Sequence, residues 1–151
     1  RAASRPTSWP RCTTTWPHSW SIRGSSLPLL ARLPDADAAK AVELYRASLE
    51  LAPARAQTQE SCGLALAVAG RHKEAARHLT AARRLGRDTA ELWSGLGAVR
   101  FEQGRLRQAE ESFQAALKLR PGWEDARENL RVVQEERLRR SKSRKWQANW
   151  T

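Results

Sequence analysis

The side chains that could do chemistry are few and scattered in this sequence of 151 residues. His72 and His78 are six positions apart, so on a helix they would face different directions rather than form a ligand pair. His18, Cys12 and Cys62 lie in segments of unlike composition, and no glycine-rich phosphate loop accompanies them. We therefore expect no catalytic residues, no metal site and no cofactor. The cysteines are interpreted as unpaired thiols of a reducing compartment.

Basic residues give the chain a net charge of +11 and concentrate in two places. One cluster lies between residues 71 and 87, and the other lies in residues 139–145. Clusters of this kind can attract nucleic acid through counterion release or act as nuclear import signals. The alternative is a solvated arginine-rich surface, which we favour because only Trp146 and Trp150 stand near the second cluster as stacking platforms. Nucleic-acid association is therefore kept as an alternative function.

The middle of the chain repeats itself with a period of 34 residues. The pairs at this offset are Gly63 and Gly97, Gly70 and Gly104, Ala75 and Ala109, Leu79 and Phe113, Ala82 and Ala116, and Leu85 and Leu119. A period of this length is typical of a helix–turn–helix unit that stacks on its neighbours. The small residues at Gly63 and Ala75 allow paired helices to approach closely, and Gly70 and Gly104 predict the turns between them.

Residues 90–121 resemble the tetratricopeptide repeat (TPR) family. The family pattern W-x2-L-G, A-x3-F, A and P is matched by Trp93, Leu96, Gly97, Ala109, Phe113, Ala116 and Pro121. The upstream unit at residues 56–87 departs from it, because Gln59, Cys62 and Arg87 replace the signature Trp, Leu and Pro. The family's usual aromatic residue on the first helix is also displaced in the better repeat.

The resemblance spans about residues 38–138 and implies an all-α fold, a right-handed α-solenoid of antiparallel helix pairs. We predict a disordered Pro/Ser/Thr/Trp-rich leader before it, for which a transit peptide, an alternative exon or a misread frame are alternatives. No apolar run reaches the roughly 18 residues that a membrane helix needs. The predicted segments are leader 1–34, helix 38–52, repeat 56–87, repeat 90–121, capping helix 123–139 and basic tail 140–151, so that the helical domain covers 35–139.

Several local features are expected within these helices. Asp88 and Glu91 predict a capping box at the start of the second repeat. Trp93 and Phe113 are expected to pack inside that repeat. The stripe predicted for the first helix is Ala41, Leu44, Tyr45, Ser48, Leu49 and Ala52, and the apolar side predicted for the capping helix is Trp123, Ala126, Leu130, Val133 and Leu138.

TPR arrays are scaffolds that bind peptides or helices of partner proteins, so the resemblance implies a non-catalytic protein–protein interaction adaptor. In the family, the first helix of each pair lines a concave groove. The groove residues carried over are Gln57, Glu60, Leu64, Glu91, Ser94, Ala98, Phe101 and Glu102, with Ala67, Val68, Asp125, Glu128 and Val132 beside them. This surface would be apolar at its middle and acidic at its rims, which favours a basic or amphipathic partner segment.

One family subtype is not expected. Some TPR domains hold an acidic chaperone tail in a carboxylate clamp of Lys, Arg and Asn on their first helices. The matching positions here are Glu60, Leu64, Ser94 and Ala98, which carry no cation. An alternative to an adaptor is the repeat region of a larger enzyme, such as a TPR-containing glycosyltransferase. The expected compartment is the cytoplasm, with the nucleus as the alternative.

Overall fold

A computed structural model describes residues 35–148, which form six α-helices and no strand within that range. The helices are α1 Asp35–Leu51, α2 Ala56–Val68, α3 His72–Arg84, α4 Ala90–Glu102, α5 Leu106–Leu119 and α6 Glu124–Ala148. The expected disordered leader, residues 1–34, and the end of the basic tail, residues 149–151, lie outside the described part of the chain. The prediction of an all-α helical repeat is confirmed.

The helices pack in two rows. Each helix contacts the next one along the chain, and α4 also contacts both α2 and α6. Over the described residues, the backbones of α1 and α3 do not meet, and neither do those of α3 and α5. We call α2, α4 and α6 the inner row and α1, α3 and α5 the outer row. Neighbouring helices therefore approach each other in the inner row and stay apart in the outer row.

Glycine residues end three of the helices. Gly70, Gly86 and Gly104 have φ angles of 73°, 90° and 73°, a region that only glycine enters without strain. The amide after each glycine bonds a carbonyl five residues back, for example Arg71 N to Leu66 O at 2.9 Å. This is the Schellman arrangement, and it satisfies carbonyl groups that the helix end leaves free.

The 34-residue period positions glycines against bulky side chains of the paired helix. A Cβ atom on Gly97 would lie 2.9 Å from three ring atoms of Phe113, which is completely buried. One on Gly63 would lie 2.7 Å from Cγ of Leu79, the equivalent residue of the preceding pair. The inner and outer helices can therefore pack at this distance only where the side chain is missing.

The first and last helices differ from their predicted apolar stripes. Leu44 in α1 and Leu138 in α6 are 73% and 57% exposed, although both were expected to face the core. In α1, Ala38, Val42 and Leu49 are buried instead. These three recur at positions i, i+4 and i+11, and Leu44 lies off that line, so it faces solvent.

Helix α6 continues to Ala148, beyond the predicted end at residue 139. The added turns bury little, because almost every residue after 139 is exposed. Ion pairs between successive turns are found in α6 as far as residue 140, such as Arg139 Nε to Glu136 Oε2 at 2.7 Å. A search for apolar periodicity cannot detect helical turns that bury so little surface. None of the helices over residues 35–148 has both the length and the apolar content that crossing a bilayer requires.

The predicted capping box at α4 is wrong in its residues. Thr89 is the N-cap, and its hydroxyl oxygen accepts a hydrogen bond from Leu92 N at 3.1 Å. Asp88 instead accepts from Nε1 of Trp93 at 2.6 Å. Glu91 forms an ion pair with Arg120. The chain enters the helix one residue later than the D-x-x-E pattern suggested, and threonine is also among the favoured N-cap residues.

Candidate functional site

The inner row carries all of the predicted groove residues, but they differ in accessibility. Buried, half-buried and exposed side chains alternate along α2 and α4. Gln57 and Glu102 are exposed, Glu91, Ala98 and Phe101 are half-buried, and Glu60, Leu64 and Ser94 are buried. Five of the eight thus reach solvent, and the other three stabilise the packing of the row.

Glu60 is the most constrained of these residues. Its side chain is only 6% exposed, and its Oε2 atom accepts a hydrogen bond from Arg87 Nε at 2.6 Å. The hydroxyl of Thr89 donates to the other carboxylate oxygen. Both donors come from the link between α3 and α4, so the charge of Glu60 is neutralised from within the chain. Arg87 occupies the position where the family pattern has proline. This departure from the pattern was the feature of the sequence that could have indicated a partner for Glu60.

Leu64 and Ser94 hold α2 against α4. Leu64 packs on Gly95, where there is no side chain to keep the two helices apart. Ser94 is 2% exposed, and its Oγ has no hydrogen-bond partner within residues 35–148. Neither side chain is placed to contact a ligand bound to the solvent-exposed surface of the inner row.

Most acidic side chains near the inner row already have an arginine partner. Glu91 is paired with Arg120. Arg131 bonds Glu128 at 3.0 Å and Glu135 at 2.6 Å, and the hydrogen bond from Arg131 lowers the pKa of Glu128. Glu102 differs, because it is exposed and has no ion pair with any described residue. It is therefore the inner-row carboxylate most available to a partner's cation.

Half-buried apolar side chains run along the same row. Ala98 and Phe101 of α4 pack against the core cluster that contains Phe113 and Val133, and each keeps part of its surface in solvent. Ala67 and Val68 of α2 and Val132 of α6 are half-buried in the same way. We call these five residues the apolar strip. Its residues lie on all three inner helices, and Phe101 directly precedes Glu102 in the sequence.

Arg100 occupies the position where the family usually has an aromatic residue, and sequence reasoning assigned it no role. Its guanidinium donates to Ser112 Oγ at 2.5 Å and to the carbonyl of Gln108 at 3.3 Å, so it links α4 to α5. Burial lowers the pKa of Arg100, and the neighbouring Arg83 acts in the same direction.

The basic cluster between residues 71 and 87 is partly engaged in the fold. Arg71 bonds Glu74 at 2.8 Å, Arg83 lies 5.3 Å from the ring centroid of Trp93, and Arg87 pairs with Glu60. Lys73, Arg77 and Arg84 are exposed. About half of the cluster therefore has interaction partners within the fold.

The described residues hold no group of three His, Cys, Asp or Glu side chains that could bind a metal ion. His78 instead contacts Gln59, with 2.7 Å between Nδ1 and Oε1. Cys62 is completely buried, and this burial raises the pKa of its thiol. A buried thiol of raised pKa is a poor nucleophile, so Cys62 serves in packing.

Hairpins of helices stacked in two rows define an α-helical repeat protein. Residues 90–122 match the family model described as tetratricopeptide repeat. Among solved structures, 39 chains are similar to this chain. One is the crystal structure of the Sgt2 TPR domain from Aspergillus fumigatus, with 21% identity over 71% of this chain and 72% of that chain and a TM-score of 0.64. No curated protein matches the sequence.

Proposed function

We propose that this chain is a non-catalytic scaffold that binds a peptide or helix of a partner protein along its inner row. TPR folds are protein-interaction modules, and the apolar strip beside Glu102 is the observation that supports a binding surface here. The strip offers half-buried apolar side chains distributed over three helices. That arrangement suits an extended or helical segment better than a small molecule.

The partner segment is expected to be amphipathic. Its apolar side chains would cover Phe101 and Val132, and a Lys or Arg would pair with Glu102. The net charge of +11 opposes a basic partner at long range. At physiological salt, however, exposed charges are screened beyond about 8 Å, so the local carboxylate decides the contact. One or two cations facing Glu102 suit this surface better than a uniformly basic peptide.

The compartment proposed for this binding is the cytoplasm, with the nucleus as the alternative. Cys62 is a free thiol in the described chain, and reducing compartments keep thiols in this form.

The test is selection of peptides from a library of amphipathic helical sequences against the full chain, followed by fluorescence anisotropy of the selected peptides. Glu102→Lys should weaken binding about tenfold, because it places like charges together at the contact. The matched control is Glu50→Lys, which reverses an exposed charge on the outer helix α1. Equal affinities for both variants, or a library that yields no binder, would contradict the proposal.

A further inference from the structure

A cleft of about 510 Å³ lies between the α4–α5 turn, the start of α5 and the C-terminal half of α6. Its cationic lining consists of Arg107, Arg137, Arg140 and Arg144, and Ser143 adds a hydroxyl. No carboxylate belongs to the lining, and none of the lining residues belongs to the predicted groove. The cleft is therefore separate from the apolar strip and of opposite electrostatic character.

Two of the four arginines have carboxylate partners outside the lining. Arg137 lies 2.9 Å from Glu110, and Nε of Arg140 lies 2.7 Å from Glu136. Glu136 is shared with Arg139, so one carboxylate serves two cations. Positive charge is thus in excess before the remaining two arginines are considered.

Arg107 and Arg144 are exposed and form no ion pair with any residue between 35 and 148. They belong to different helices and line the same cleft. Like charges placed together without a carboxylate between them are unfavourable unless solvent ions or a ligand compensate them.

The start of α5 adds to this positive field. The N-cap residue of α5, Arg105, makes no side-chain hydrogen bond to the first turn, whereas Thr89 caps α4 in this way. The first amide groups of α5 therefore point outward without a side-chain acceptor. Leu106, the first residue of that 14-residue helix, belongs to the lining of the cleft. Free amides at a helix start attract anions, phosphate in particular.

We propose that this cleft binds a compact polyphosphate group. The guanidinium fork matches phosphate oxygens in pairs, and four forks suit several linked phosphates better than a single carboxylate. The volume also lies within the range of small-ligand sites. The group could be free in solution or carried on a lipid headgroup, since both present several phosphate groups close together.

The test is isothermal titration calorimetry of the full chain with inorganic tripolyphosphate. We expect one saturable site per chain, and the double variant Arg107→Gln/Arg144→Gln should weaken it at least about tenfold, since charge-assisted hydrogen bonds are lost. The matched control is Arg77→Gln/Arg84→Gln, which removes the same charge from exposed positions of α3. It should change the affinity less than about twofold.

Equal weakening in both double variants would show diffuse attraction to a basic protein and overturn the proposal, as would the absence of a saturable site. Vesicles that contain phosphatidylinositol bisphosphate distinguish the source of the group. Vesicle binding lost only in the cleft variant supports the same site with a lipid carrier. Circular dichroism of each variant confirms that the helices remain, so lost binding is not mistaken for unfolding.

Discussion

Arg87 donates a hydrogen bond from Nε to Oε2 of Glu60 at 2.6 Å, across the junction between two helical pairs. The arginine side chain is 36% exposed and the glutamate side chain only 6%, so the pair lies at the edge of the core. Thr89 bonds the same carboxylate and also caps α4. A polar network thus fixes the entry of α4, at a junction where the family pattern has a rigid proline.

The first prediction concerns this network. Arg87→Ala should reduce the free energy of unfolding by about 2 kcal/mol, because it leaves a buried carboxylate without its cation. Arg84→Ala, three residues earlier and exposed, is the control and should change it by less than about 0.5 kcal/mol. Urea denaturation followed by circular dichroism measures both.

The double variant Glu60→Gln/Arg87→Ala sharpens this test. Removing the charge of the carboxylate should recover part of the free energy of unfolding that Arg87→Ala loses. The effects of the two changes should therefore not be additive. Additive losses, or a neutral Arg87→Ala, would mean that the pair does not hold the junction.

The second prediction concerns the close packing of α4 and α5. Gly97→Ala would place a Cβ atom 2.9 Å from the Phe113 ring, so the helices must separate. We expect a loss of about 1–3 kcal/mol, the usual cost of overpacking. Gly122→Ala is the control, since nothing lies within 4 Å of its added carbon. Thermal melts of the two variants should differ clearly, and equal melting temperatures would refute the packing described.

The contact between Gly97 and Phe113 also shows what the sequence could predict. The recurrence of glycine opposite a bulky apolar residue at a fixed period indicates helix pairs, since only close packing requires both. The start of α2 and the turns at Gly70 and Gly104 follow from the same logic. Features of this kind are local and repeated, so they can be recognised from the residue types in the sequence alone.

Most of the features that the sequence did not predict involve contacts between residues that are distant in sequence. Nothing in the spacing of Glu60 distinguishes a surface acid from one buried under Arg87, 27 residues later. The hydrogen bonds of Arg100 to α5 are hidden for the same reason. The C-terminal turns of α6 were missed because almost all of their residues are exposed, so no apolar periodicity marks them. The arginine-lined cleft is formed jointly by the start of α5 and the C-terminal half of α6, and only the fold shows that these two segments meet.

The third prediction is a loss of stability in acid, in two steps. Burial lowers the pKa of His78, and the charge of Arg46 acts in the same direction. The unfolded chain therefore takes up this proton first, so stability is lost as the pH falls below about 6.5 and on through the lowered folded pKa. The pKa values of Glu74 and Glu128 are lowered mainly by hydrogen bonds from Arg71 and Arg131. Their contribution is complete above about pH 4.3 and is lost below it.

Urea denaturation across this pH range, repeated with His78→Gln, separates the two steps. The variant should lose the decline near neutral pH and keep the acidic one. An unchanged decline between about pH 7 and 5 would show that His78 is not its source.

The fourth prediction is that acidic tails with a free C-terminal carboxylate are not recognised by the inner row. Glu60 and Ser94 are buried, and neither Leu64 nor Ala98 can bind an anion. A tail peptide and its C-terminally amidated form should therefore bind with equal, weak affinity in anisotropy measurements. A clear preference for the free carboxylate would reveal a clamp that these residues do not supply.

Hydrogen–deuterium exchange of the full chain, with and without a library-selected amphipathic peptide, tests the central claim most directly. Binding along the inner row should slow exchange in α4 and in its neighbours α2 and α6, and leave the exposed side of α3 unchanged. The Glu102→Lys variant should show little of this protection at the same peptide concentration. Protection confined to α1, α3 and α5, or identical protection in the variant, would contradict an inner-row binding site.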